Sequence, residues 1–288
     1  MTIVVAWTRK VGPATELLVA SDSRLTSAGH VDVCQKVFPL SRGDAFFAFC
    51  GDTALAFPLI FQINSAIANY QPAADRREDV PELLNRILTL LNAYREAWKD
   101  TDAADHADSV RTTRFLFGGW SWRQNRFRIY PIQYSREAKK FRFFSHSKQS
   151  RRLGLPEDER CYIIGDYAAE FRSRLRDFCR ISKPHSLDYE PARILSGMLK
   201  EDRFINRRSD GSFYNRNDKA GAIGGAPQIL KVYQHVNFRP IAVRWQLQNG
   251  EPGVSLYGRP LFEWEKTFSP IFNPATGDMF YPLATIVN

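Results

Sequence analysis

Apolar residues run unbroken through IVVAW at 3–7 and again through LLVA at 17–20, with the turn-rich KVGPATE between them. Two short apolar runs around a Gly-Pro turn predict a β-hairpin over residues 3–20. The polar stretch DSRLTSAGHVD follows, then a short strand in KVFPL. AFFAFC at 45–50 has no polar break, the pattern of a strand buried on both faces. Beyond Gly51-Asp52-Thr53 the period changes. Leu55, Leu59, Ile60, Ile63 and Ile67 recur at helical spacing. A second helix is signalled by Asp79 as N-cap, Pro81 in the first turn and Glu82 three residues after the cap, with an apolar face from Leu83 to Trp98. DTDAADHADSV at 100–110 is acidic and Ala-rich and predicts a loop.

The second half repeats this order. RFLFGGW, RFRIYPI and KKFRFF predict strands, and CYIIG at 161–165 a buried strand. Asp166 opens an expected helix with Tyr167, Phe171, Leu175 and Phe178, and Pro191–Leu199 gives another. Residues 201–222 are polar and rich in Gly, Asn and Asp, a loop long enough to carry function. QILKVYQHV and PIAVRWQL predict a hairpin, with a further strand near VSLY, and the Pro-rich stretch from 268 predicts an irregular surface tail. Strands, helices, strands, helices and strands in that order predict an α+β domain with antiparallel sheets and helices on their outer faces. The expected organisation is one domain over 1–258 with residues 259–288 packed on it as a C-terminal extension.

Composition adds two points. The chain of 288 residues is 44% hydrophobic, enough for a sizeable core, and carries a net charge of +9. Such a balance raises nucleic acid as a partner, above all in RFRIYPIQYSREAKKFRFFSHSKQSRR, where cations alternate with aromatics. A hairpin with one buried aromatic face and one solvated basic face explains that alternation without a nucleic acid. Cys34, Cys50, Cys161 and Cys179 show no metal-ligand spacing and read as free thiols of a reducing compartment. No metal or cofactor is expected. The apolar run at the start is short and lacks a basic flank, and no stretch approaches the roughly 20 apolar residues of a membrane span, so a cytoplasmic location without a membrane partner is expected. The histidines 30, 106, 146, 185 and 235 are scattered, with no pattern pointing to a Ser/His triad.

The candidate chemistry begins at Thr2. With Met1 removed, Thr2 carries a hydroxyl and an α-amine on one residue, a nucleophile with its own base. An α-amine titrates near about 7.8, so a nearby ammonium keeps it neutral at working pH through like-charge repulsion. Asp22 in ASDSR, Lys36 in QKVFPL and Gly51 in FCGDT stand at strand ends that an antiparallel sheet can gather on one edge. Taken singly, Asp22 reads as a turn residue, Lys36 as a surface lysine and Gly51 as a turn glycine. Ser23 and Arg24 read as structural, and Asp166 reads equally as a helix N-cap.

MTIVV, LLVASDSRLTS, CQKVFPL and FFAFCGDTALA resemble, in order, the N-terminal half of proteasome β-subunits and their bacterial peptidase relatives. FLFGGW with FRIYPI, CYIIGDYAAEF and AIGGAPQILKVY are similar to later family segments, so the likeness covers most of residues 2–247. The resemblance implies a four-layer αββα sandwich and an N-terminal-threonine hydrolase. Its site maps onto Thr2 as nucleophile, Asp22 and Lys36 as the supporting ion pair and Gly51 as oxyanion donor. Asp166 and Asp218 fall in the segments that support the amine. The sequence departs from the family there: Asp166 stands where the family has Ser, Asp218 lies six residues before Gly224, and Ile223 takes the place of a second Ser. A peptide or amide substrate, ring-like homo-oligomers and an activating or regulatory protein are the implied partners. A small-molecule amidase on the same fold and a noncatalytic scaffold with a basic binding surface are the alternatives.

Overall fold

A computed structural model describes residues 2–26, 31–98, 103–144, 153, 155, 160–201, 223–247, 250–262, 264–265 and 268–282. The expected first hairpin is β1 (Ile3–Val11) and β2 (Ala14–Ser21), turning at Gly12 with φ +57°. There follow β3 (Val37–Pro39), β4 (Ala45–Cys50), α1 (Thr53–Ala68), the single turn α2 (Gln71–Ala74), α3 (Val80–Ala97) and α4 (Ala103–Thr112). The second half contains β5 (Arg114–Ser121), β6 (Arg126–Ser135), β7 (Lys140–Phe143), β8 (Cys161–Gly165), α5 (Ala168–Ser182) and α6 (Glu190–Leu199). The last elements are β9 (Gln228–Val232), β10 (Arg239–Gln246), β11 (Pro252–Leu256), β12 (Arg259–Pro260), β13 (Ile271–Phe272) and β14 (Met279–Phe280).

The strands form two sheets, so the chain is an α+β protein. One sheet runs β12-β11-β10-β9-β2-β1-β8, with β13 beside β10 and β14 beside β13; the other runs β3-β4-β5-β6-β7. All pairs are antiparallel except β10–β13. Alternation along each strand divides the core in three. Ile3, Val5 and Trp7 of β1 pack with Phe171 and Leu175 of α5 and Leu195 of α6. Phe47 and Phe49 of β4 pack with Leu59 and Ile63 of α1 and Leu83 and Ile87 of α3. Between these, Val4 and Ala6 meet Phe46, Ala48, Leu116 and Ile129 of the other sheet. This is why IVVAW and AFFAFC lack a polar break: both faces of each strand are buried. In the basic hairpin, Phe127 and Ile129 point into the middle layer and Tyr130 and Phe141 into the α1/α3 layer, so the middle of β6 is buried on both faces and not on one as expected.

Two further expectations are corrected. Residues 103–112 are helical, not a loop. Ala103, Ala104 and Ala107 are strong helix formers, and among the described side chains of the segment Val110 is the one in the core, too few apolar positions to show a period. The tail is not confined to the surface either. Phe272 is fully buried against Tyr189, ring centroids 5.3 Å apart, and its strand pairs with β10. Among the described residues no helix is long and apolar enough to cross a membrane.

The start of α3 is as the sequence predicts. The Asp79 side chain accepts from Val80 N at 2.9 Å, while its backbone N–H donates to Glu82 at 3.1 Å. Asp79 also accepts from Ser121 Oγ at 2.7 Å and Trp122 N at 3.1 Å, joining α3 to the end of β5. Asp79→Ala is expected to cost about 2 kcal/mol in denaturant unfolding, one part lost cap and one part unsatisfied buried donors. Asp79→Asn is expected to recover roughly half of that, since it keeps an acceptor.

Candidate active site

β1 and β2 are neighbours in one sheet and β3 belongs to the other; the start of β1, the end of β2 and the start of β3 meet at one edge of the fold. Thr2 immediately precedes β1 and is 1% exposed. Asp22 follows β2 and Lys36 precedes β3, and both are fully buried. Lys36 Nζ lies 2.8 Å from Thr2 Oγ1 and 2.9 Å from Asp22 Oδ2, and it also donates to the Arg24 carbonyl. Each proton of an ammonium thus has an acceptor. Burial pushes the Lys36 ammonium below its ordinary value of 10.5, with the Asp22 carboxylate opposing the shift in part. Asp22 in turn accepts from the backbone N–H groups of Ile3 at 3.1 Å, Arg24 at 3.2 Å and Gly224 at 3.4 Å. The carboxylate therefore fixes the first residue of β1 as well as the lysine.

Asp166 comes from the β8–α5 turn. Its side chain accepts from Thr2 N at 2.8 Å, and its N–H donates to Thr2 O at 3.0 Å. Asp166 therefore does not cap a helix; α5 starts two residues later with Tyr167 at its N-cap position and no side-chain cap. Gly165 makes this close approach possible. It sits at φ +113°, and a Cβ there would lie 2.0 Å from the Thr2 carbonyl oxygen.

Gly51 terminates β4 at φ +106°, where a Cβ would come within 2.6 Å of Thr113 Cα. Asp52 then caps α1 by accepting from Ala54 N at 2.7 Å. Phe49 N donates to Lys36 O at 3.3 Å, so Gly51 stands two residues past the strand position that faces the lysine. Cys50, between them, has its thiol pushed up to about 12 by burial and the Asp166 charge, against the pull of Arg114 and Lys36. It is a protonated packing group. Asp218 lies outside the described residues.

Sequence reasoning missed the residue that ties these strands together. Gln228 is fully buried at the start of β9. Its Oε1 accepts from Lys36 N at 2.9 Å, and its Nε2 donates to Asp22 O at 3.1 Å and Cys34 O at 2.6 Å. The available signal was one amide side chain heading the strand QILKV. Ser21 Oγ donates to Ile3 O at 2.9 Å, and Ser23 Oγ sits 2.7 Å from Ala226 O. Arg24 forms a forked ion pair with Asp32 at 2.6 and 2.8 Å. Ser23 and Arg24 are structural, as the sequence suggests. The turn between β11 and β12 packs on the same motif, since a Cβ on Gly258 would lie 2.4 Å from Ser23 Cβ.

The geometry offers a hydroxyl, an ammonium donating to it, a carboxylate holding that ammonium, and a second carboxylate at the nitrogen of the same threonine. Cys50, Cys161 and Cys179 are buried free thiols, while Cys34 is half-buried. Among the described residues no group of three or more His, Cys, Asp or Glu is placed to hold a metal ion. No protein-family model matches the chain, and no curated protein matches it.

Proposed function

We propose that the protein is an N-terminal-threonine hydrolase that cleaves amide bonds, built as a four-layer αββα sandwich. The observation that carries this reading is Lys36 Nζ, 2.8 Å from Thr2 Oγ1 and 2.9 Å from Asp22. Three further features support it: two sheets sharing a middle core layer, α1 and α3 on one outer face, and α5 and α6 on the other.

Removal of Met1 converts the Thr2 nitrogen into an α-amine. Lys36 lowers the amine's proton affinity by like-charge repulsion, and the Asp166 carboxylate beside the same nitrogen raises it, so the two set its working range. The amine takes the Oγ1 proton as Oγ1 attacks the substrate carbonyl, and the Lys36 ammonium stabilises the oxygen as it gains charge. The Gly51 N–H is the donor to the carbonyl oxygen. As the C–N bond breaks, the ammonium of Thr2 returns its proton to the leaving amine. The acyl-ester left on Oγ1 is cleaved by a water whose proton passes to the amine, releasing a carboxylic acid and restoring the site. Homo-oligomerisation fits the same reading, with Phe61 of α1, 64% exposed, and Ile181 of α5, 76% exposed, as apolar contacts on the outer helices.

A neutral electrophile that acylates N-terminal threonines tests the proposal. The expected result is one adduct, mapped to Thr2 and absent from a folded Thr2→Ala variant. An adduct of the same yield in Thr2→Ala contradicts it.

A further inference from the structure

Three arginines stand near this site, and among the described residues none of them forms an ion pair. Arg114 heads β5 and pairs in register with Cys50, the residue before Gly51. Arg172 and Arg176 are four residues apart on one face of α5, the helix that follows Asp166. Burial pushes the Arg172 guanidinium down, and the charges of Arg176 and Arg114 add to the shift. Cys50 links the cluster to the site, because Asp166, Arg114 and Lys36 are all among its charged neighbours. The other arginines of α5 are neutralised. Arg174 pairs with Glu170 at 2.8 Å and Glu201 at 2.6 Å, and Arg180 pairs with Asp177 at 3.3 Å. Among the described residues no carboxylate forms an ion pair with Arg114, Arg172 or Arg176. Like charges at helical i,i+4 spacing destabilise a helix, and a third cation from another element adds to that cost. Arg114 and Arg176 are exposed and Arg172 half-buried, so an anion arriving from solvent can reach them. Guanidinium forks match a carboxylate's two oxygens better than any other cationic side chain.

We propose that Arg114, Arg172 and Arg176 form an anion-binding cluster beside the Thr2 site, and that its amide substrate carries a carboxylate close to the scissile bond. This rests on the hydrolase reading above and specifies its substrate class. The carboxylate has two sources: the side chain of an acidic residue within a peptide, or the terminal carboxylate of a small amide.

Binding to the Thr2→Ala protein, measured by calorimetry, separates the inference from the hydrolase reading because it needs no turnover. One arm compares N-acetyl-Ala-Glu-Ala-amide with its Gln counterpart. The other compares N-acetyl-Ala-Ala as free acid and as amide. In at least one arm the charged member is expected to bind about tenfold more tightly at low salt, an advantage that screening erodes by 0.5 M salt. The advantage is expected to vanish when Arg114→Gln, Arg172→Gln and Arg176→Gln are added. If that triple variant does not fold, Arg172→Gln alone is expected to reduce it at least threefold. Equal binding of charged and neutral members in both arms, or an advantage that survives the arginine substitutions, overturns the inference. Thr2 labelling of the unsubstituted protein by the neutral electrophile tests the hydrolase reading separately; its absence would count against that reading alone.

Discussion

Lys36→Met is expected to lower amide hydrolysis by roughly 10²–10⁴-fold and to destabilise the fold by about 3 kcal/mol. The two effects share one origin. Lys36 is fully buried, and its ammonium is the partner of a fully buried Asp22. Removing the cation leaves Asp22 in a fully buried site, where among the described residues the N–H groups of Ile3, Arg24 and Gly224 solvate it. Those three donors hold the loss near the lower end of what breaking a buried pair costs. Adding Asp22→Asn removes the stranded charge while keeping an acceptor for the same N–H groups. The double variant is expected to recover most of the stability and none of the activity. Recovery of activity in the double variant would contradict a direct role for the ammonium at Oγ1.

The pH dependence of stability follows from the same group. Because burial holds Lys36 below its ordinary 10.5, the folded state gives up this proton before the unfolded state does. Below the folded value both states are protonated and the burial penalty is present in full. Between the folded value and 10.5 the unfolded chain binds more protons, so this contribution makes stability rise with pH; above 10.5 it is flat. Lys36→Met is expected to remove that rise from denaturant unfolding measured across the alkaline window, and an unchanged slope would place its origin elsewhere.

The second large effect is steric. Gly165→Ala would put a methyl carbon 2.0 Å from Thr2 O and 2.9 Å from Ile3 Cα, at a φ of +113° that side chains disfavour. Both neighbours are backbone, and Ile3 is held in register with Gly165 in the β1–β8 ladder. The strand must therefore move, breaking the pair of hydrogen bonds between Thr2 and Asp166. We expect a loss of at least about 3 kcal/mol in thermal or denaturant unfolding, together with loss of Thr2 labelling. Near-wild-type labelling in Gly165→Ala would show that the Asp166 contact to the threonine is dispensable.

The parts of the site legible in the sequence are those whose positions follow from strand ends. Thr2, Asp22 and Lys36 each abut an apolar run, and a hairpin followed by a strand in the facing sheet brings such ends together. Gln228 was not legible, since its partners lie 192 and 206 residues away and no local pattern marks a side chain satisfied by a distant backbone. Asp166 was ambiguous because a carboxylate just before a helix suits both a cap and a long-range contact; the Gly165 conformation decides it. The α4 helix escaped because its sequence, AADHADSVRT, offers one large apolar residue, Val110, and so no period. The burial of Phe272 depends on a parallel pairing with β10 that proline-rich flanks conceal.

The mass of the mature protein tests the account most directly. Every proposed proton transfer requires the nitrogen that Asp166 accepts from to be an amine rather than an amide. Intact-mass measurement of active protein, followed by sequencing of its N-terminal peptide, is predicted to show a chain lighter by Met1 and beginning at Thr2. A chain that hydrolyses amides with Met1 still attached would contradict it.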